Sequence, residues 1–245
     1  MKVTWILAAT MLLPVGSMAQ NALPEGTILP ISLNKDLNAL RVHAHQEIRA
    51  EVMQDIPGTQ IRRGATVLGR VVRVTASKSG TVELELCFDV LMLHGQRIPL
   101  KTDLRALASS SDVEDAQMAM YGPIDGIEVN HASTNQIGGD LVFHGGGPVL
   151  AGSDSEQIGK STQYGVLVLP RSTPGQHCRG IVGNNKEPQA LWLFSSDACG
   201  VYGFNEIQIE HAGRTDPRGT IILTSKNGKL TIYSQSALLL RVQGS

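Results

Sequence analysis

Gln46-Glu47-Ile48-Arg49-Ala50-Glu51-Val52-Met53-Gln54-Asp55-Ile56 alternates apolar and polar side chains along its length. Ile48, Ala50, Val52 and Gln54 fall on one side, and Arg49, Glu51 and Met53 on the other. That period of two belongs to a strand with one buried face. Pro57-Gly58 then breaks the run. Outward from this segment the same grammar repeats. Thr27 to Leu33 reads as a strand after the turn-forming Pro24-Glu25-Gly26. Thr66 to Thr75 reads as another, interrupted by Gly69, and Ser77-Lys78-Ser79-Gly80 turns the chain into Val82 to Leu93. In the last of these Leu84, Leu86 and Phe88 share a face, while Cys87 lies with Glu83 and Glu85. His94-Gly95 turns the chain once more into Gln96 to Leu100. Five short strands at hairpin spacing predict a small barrel or sandwich.

Further on, the β pattern resumes after a polar stretch. Gln136-Ile137-Gly138-Gly139 and Gly145-Gly146-Gly147-Pro148 bracket Leu141-Val142-Phe143; Gly165 to Leu169, Ala190 to Phe194 and Ile207 to Ile209 are further apolar runs. Lys226-Asn227-Gly228 predicts a hairpin between Gly219–Ser225 and Lys229–Ser234, because Asn and Gly tolerate the positive φ of a tight turn. Ala237 to Val242 is the last strand. The expectation is an all-β protein of two small β modules, residues 20–108 and 135–245, joined by a polar linker at 109–134. The linker reads as a solvated connector; a short helix capped at Ser111, with Glu114 three residues later, is the alternative.

The first residues point to export. Lys2 precedes a mostly apolar, uncharged run from Val3 to Val15, and Ser17-Met18-Ala19 places small residues where a signal peptide is cut. Residues 1–19 are therefore expected to be a cleaved signal peptide, because the run is too short to span a bilayer. Without Lys2 the chain keeps 20 basic against 22 acidic side chains, a balance that argues against a nucleic-acid partner. No second apolar run reaches membrane length, so no transmembrane segment is expected after cleavage. Aromatic residues are only 4% of the chain, few for a sugar-binding platform.

In an oxidising compartment Cys178 and Cys199, both in Gly-rich surroundings, are expected to form a disulfide. Cys87 is left as a spare, inert thiol. His43 and His45 would share a strand face, but His131, His144, His177 and Cys178 are too scattered to complete a metal site. No metal or cofactor is expected. No nucleophile motif is present either, and Asp112/Glu114 and Glu83/Glu85 read as solvated pairs. Gly145-Gly146-Gly147 lacks the residues of a phosphate cradle. Gly159-Lys160-Ser161 has Asp154 where a nucleotide loop needs Gly. Trp192, Phe194, Tyr202 and Phe204 mark the region where a ligand would sit, if the second module binds one.

Residues 23–101 resemble the C-terminal β-barrel domain of the TrbI family, scaffold proteins of conjugation and type IV secretion systems. The resemblance rests on Pro24-Glu25-Gly26-Thr27-Ile28 with Leu33, on Ile48-Arg49-Ala50-Glu51-Val52, and on Ile61-Arg62-Arg63-Gly64-Ala65 with Val67-Leu68-Gly69. Phe88, Gly95 and Ile98 continue it. Arg62 stands where the family has Pro, and a signal peptide stands where it has an inner-membrane helix. The resemblance implies a barrel-like fold and an envelope role. Together these readings lead to a periplasmic or secreted component of the cell envelope, structural or protein-binding, with an envelope protein as partner. An exported hydrolase or a small-ligand or glycan-binding protein, built on the second module, is the alternative.

Overall fold

The computed structural model describes residues 23–121, 132–144, 150–151, 156–157, 159–162, 165–168, 171–178, 193–212 and 219–244. The signal-peptide segment, His131, the Gly145–Gly147 run and Trp192 lie outside them. The strands are β1 (Ile28–Leu33), β2 (Leu37–Asn38), β3 (Glu47–Val52), β4 (Thr66–Ala76), β5 (Val82–Leu93), β6 (Gln96–Pro99) and β7 (Thr102–Ala108). One helix follows, α1 (Ser110–Gln117). Then come β8 (Ala132–Asn135), β9 (Leu141–His144), β10 (Leu150–Ala151), β11 (Glu156–Gln157), β12 (Gly159–Thr162) and β13 (Gly165–Val168). The last are β14 (Gly200–Tyr202), β15 (Ile207–Glu210), β16 (Ile221–Ser225), β17 (Thr231–Ile232) and β18 (Ala237–Val242). The chain is all-β, as the alternation predicts.

The strands do not sort at residues 109–134. One large sheet runs β14-β7-β18-β1-β3-β4-β5-β16-β15, with β6 beside the far end of β5. It draws members from both sides of the expected linker, and β18 is inserted between β1 and β7, from Ile28 opposite Arg241 to Ser32 opposite Ala237. The two ends of that order, β14 and β15, are consecutive in the chain and separated by residues 203–206. The sheet therefore bends round on itself, yet β14 and β15 are not hydrogen-bonded to each other and it does not close into a barrel. What stands apart is a four-stranded sheet, β12-β13-β9-β8.

Burial follows the strand period. Ile48, Ala50, Val52 and Gln54 are buried, as are Leu84, Leu86 and Phe88. At β7 and β18 both faces are covered. Leu104, Leu107, Leu238, Leu240 and Val242 point into the core inside the curl. Ala106, Ala108, Ala237 and Leu239 point the other way, onto Val113 and Ala116 of α1 and onto Ile137, Leu193, Phe194 and Ala198. Each fully buried Leu or Phe stabilises by about 1.5–3 kcal/mol. Gly69 answers to packing. A Cβ there would overlap the Cys87 carbonyl oxygen and lie 2.8 Å from the Phe88 ring, at a β-bulge.

Two local expectations change. The segment after β7 is a helix capped two residues earlier than the Ser-x-x-Glu spacing suggests. Ser109 is the N-cap, its hydroxyl accepting from the Asp112 amide at 3.1 Å and donating to the Asp112 carboxylate. Burial of Val113 and Ala116 makes it part of the core rather than a solvated connector. The Asn227-Gly228 turn does form, with Gly228 at φ +77° and the Asn227 side chain accepting from Lys229 N at 3.2 Å. It does not join two paired strands, however. β16 already has β5 on one edge and β15 on the other, so β17 pairs with β2 instead.

Candidate functional site

A dense set of contacts among the described residues lies where β7 hands over to α1 and where the chain returns at β14. A β-bulge on β7 sets it up. Leu239 faces Ala106 and Leu240 faces Leu104, so the register skips Arg105. The bulge re-aims that side chain. Arg105 is 4% exposed, and its Nη2 donates to the carbonyls of Ser196 at 2.8 Å and Ala198 at 3.1 Å. A buried cation thus organises the turn that precedes β14.

The expected disulfide is present, Cys178 to Cys199, with a Cα–Cα distance of 5.4 Å. It pins residues 175–178 along the outer edge of β14. Gly175 N donates to Cys199 O at 2.8 Å; Gln176 N and Val201 N exchange bonds with each other's carbonyls at 2.9 and 2.7 Å. That edge, which would otherwise show open backbone groups, is covered. Close approach demands glycine on both sides. A Cβ on Gly200, at φ +91°, would lie 2.6 Å from Gln176 O, and one on Gly175 would lie 2.8 Å from Val201 O. Tyr202 completes the clasp: its hydroxyl donates to Thr173 O at 3.0 Å and accepts from Cys199 N at 3.1 Å. Burial pushes the phenol pKa above its ordinary value.

Asp140, fully buried, anchors the same loop from behind. Its carboxylate accepts from Arg171 N at 2.6 Å and from the Ser172 hydroxyl at 2.9 Å, and its own amide donates to Ser195 Oγ at 2.9 Å. Asp140, Ser195 and Arg105 escaped the sequence reading because each sits in a different segment with no shared spacing. Their visible work is to satisfy buried backbone groups. Among the described residues no group of three or more His, Cys, Asp or Glu could hold a metal ion.

The other sequence candidates disperse. His43 and His45 lie in the turn before β3 rather than on a strand; both are exposed, and His45 has φ +69°. His144 Nε2 is 2.8 Å from Thr134 Oγ1 in the four-stranded sheet, and His177 is exposed beside the disulfide. Gly159-Lys160-Ser161 lies in β12, not at a helix start. Glu83 and Glu85 both bind Arg73 at 2.9 Å, raising the Arg73 pKa chiefly through the Glu85 hydrogen bond. Cys87 is 9% exposed, with its Sγ 3.8 Å from Asp89 Oδ2, and Asp89 pairs with Arg70. The Ala190–Phe194 run is described only at its end, where Leu193 is in a turn and the buried Phe194 bridges Ile137. Phe204 packs on the main core.

Clefts mark the surface formed by the described residues. One of about 410 Å³ lies between Asn34–Leu37 and Gln46–Arg49; in it Arg49 pairs with Glu47 at 2.6 Å, and Asp36 accepts from the Ser234 amide at 2.8 Å. Another, about 150 Å³, lies between Met53, Arg63, Gln117 and Leu193, at the end of α1. Next to it the chain leaves the helix through Met118, Met120 and Tyr121, which are 57%, 37% and 81% exposed. Met120 exchanges two backbone bonds with Ser133, at 2.8 and 3.0 Å, on the outer edge of β8. No helix among the described residues is long and apolar enough to cross a membrane. No family model, no curated protein and no solved structure matches the chain.

Proposed function

We propose that this protein is an exported component of the cell envelope that works by binding another protein and has no catalytic centre of its own. The observation that carries this reading is the cluster Met118, Met120 and Tyr121. Among the described residues five large apolar side chains are exposed, and three of them fall within four positions at the junction between the large sheet and the four-stranded sheet. Scattered exposed apolar residues are ordinary; a local cluster marks a contact surface.

The compartment is supported separately. A disulfide between Cys178 and Cys199 is at home in an oxidising environment. The apolar run from Val3 to Val15 with Ser17-Met18-Ala19 fits a cleavable signal. The resemblance of residues 23–101 to the TrbI barrel domain adds to the envelope reading, although the curl of β1, β3, β4 and β5 is completed by strands from residues 200–242 rather than within the first half.

The test is cross-linking in the native envelope followed by mass spectrometry of what travels with the protein. Envelope proteins recovered in stoichiometric amounts are the expected result. Recovery of the protein alone would sink the proposal.

A further inference from the structure

Charge is unevenly spread along this chain. Between Arg105 and Lys160 the sequence holds eight carboxylates and not one Lys or Arg. Elsewhere basic side chains are in excess, and many of the described ones are matched in place. Arg49 meets Glu47, Arg62 meets Asp55, Arg70 meets Asp89, Arg73 meets Glu83 and Glu85, and Arg241 meets Asp103. On α1 the situation is reversed. Glu114 and Asp115 are exposed and enter no ion pair among the described residues, and no basic residue stands in the last turn. The helix C-terminus adds its own partial negative charge at Met118.

Met118 follows Glu114 by four residues and so stands on the same side of the helix. Beyond it Met120 and Tyr121 are exposed as well, Met120 with its Sδ 3.8 Å from Asn135 Nδ2 on β8. Exposed apolar side chains thus follow directly on the two carboxylates of the helix. Methionine adapts to differently shaped apolar partners, and a carboxylate pair without a counter-ion offers its full attraction to an incoming cation.

We infer that the outer surface of residues 114–121 is a docking surface for a cationic amphipathic segment of a partner protein. The apolar side of that segment lies on Met118, Met120 and Tyr121, and its Lys or Arg side chains lie against Glu114, Asp115 and the final carbonyls of α1. Charge selects this occupant. A second copy paired face to face would set Glu114 and Asp115 against themselves, and an anionic lipid surface would be repelled. The inference rests on the reading of the protein as an interaction component and names the class of its partner.

The test uses the oxidised protein purified from the envelope and two fluorescent probe peptides of about 14 residues, one of Leu and Lys and one of Leu and Glu, followed by anisotropy. The Leu/Lys peptide is expected to bind, more weakly as salt rises. Glu114→Gln with Asp115→Asn, and separately Met118→Ser with Tyr121→Ser, are each expected to weaken it by about tenfold. All four positions are exposed, and an unchanged unfolding midpoint verifies that the variants fold. Failure of both peptides to bind, equal binding of the two, or unchanged affinity in both variants overturns the inference. So does self-association that Met118→Ser with Tyr121→Ser abolishes, which assigns the surface to a second copy. If envelope cross-linking recovers a partner that both variants retain, the docking surface fails while the proposed function stands.

Discussion

Arg241 stands directly opposite Asp103 in the ladder between β18 and β7, and grips its carboxylate at two points, 2.7 Å from Nη2 to Oδ2 and 3.3 Å from Nε to Oδ1. The Asp103 side chain is 3% exposed and that of Arg241 17%. Removing one partner of such a pair leaves a buried charge without compensation, which costs about 3–5 kcal/mol. Asp103→Ala is therefore expected to lower the free energy of unfolding in urea by that amount. Combining it with Arg241→Met is expected to restore part of the loss, since no charge is then stranded. A double variant as unstable as the sum of the two single ones would refute this account.

Tyr202 gives the clasp a dependence on alkaline pH. Its folded pKa is raised by burial, against an ordinary value near 10. The unfolded phenol gives up its proton first, so the stability it contributes is complete below about pH 10 and is lost as pH rises from there through the folded pKa. Absorbance titration of the native protein should show a phenol ionising above the ordinary tyrosine range. Tyr202→Phe should delete that late step and, through two lost hydrogen bonds, lower stability by about 1–3 kcal/mol. A variant with an unchanged titration would show that Tyr202 is not the late phenol.

Thiol counting checks the clasp itself. Denatured without reductant, the protein is expected to show one reactive thiol, Cys87, and with reductant three. In the native state Cys87, at 9% exposure, is expected to react slowly. Replacing Cys178 and Cys199 by Ser releases a closed loop of 21-residue separation and should lower stability by about 3 kcal/mol on the chain-entropy account. Three thiols without reductant would mean that the pair does not form.

The sequence is informative wherever one face of a strand is polar. β5 runs from Val82 to Leu93, the limits that its pattern predicts, and β18, buried on both faces, is legible from Ala237 to Val242 as an apolar run broken only by Arg241. β7 is different. Thr102-Asp103-Leu104-Arg105-Ala106-Leu107-Ala108 contains two charges and belongs to none of the strands expected from the sequence, yet all seven residues are buried. Asp103 is neutralised by Arg241, 138 residues away, and Arg105 is absorbed by two carbonyls more than 90 residues away. No local window contains either partner. The Asn227-Gly228 turn shows the complementary limit: the turn chemistry is local and correct, but which strands lie beside it is decided by edges already filled by β5 and β15. At the clasp the cysteines are legible from compartment and their Gly-rich surroundings, whereas Asp140 and Ser195 carry meaning only once their loops meet.

The place of β18 in the large sheet has a kinetic side. The strand lies between β1 and β7, so the last described strand to leave the ribosome fills the middle of the sheet rather than its rim. Until Ala237–Val242 arrives, Ile28–Leu33 and Thr102–Ala108 each face an empty neighbour across the gap it will occupy. Pairing positions more than 100 residues apart, such as Ala108 with Ala237, makes folding slow, because the chain must close a large loop before any ladder bond rewards it. A chain cut short before residue 237 would keep two unpaired edges ready to associate with its neighbours.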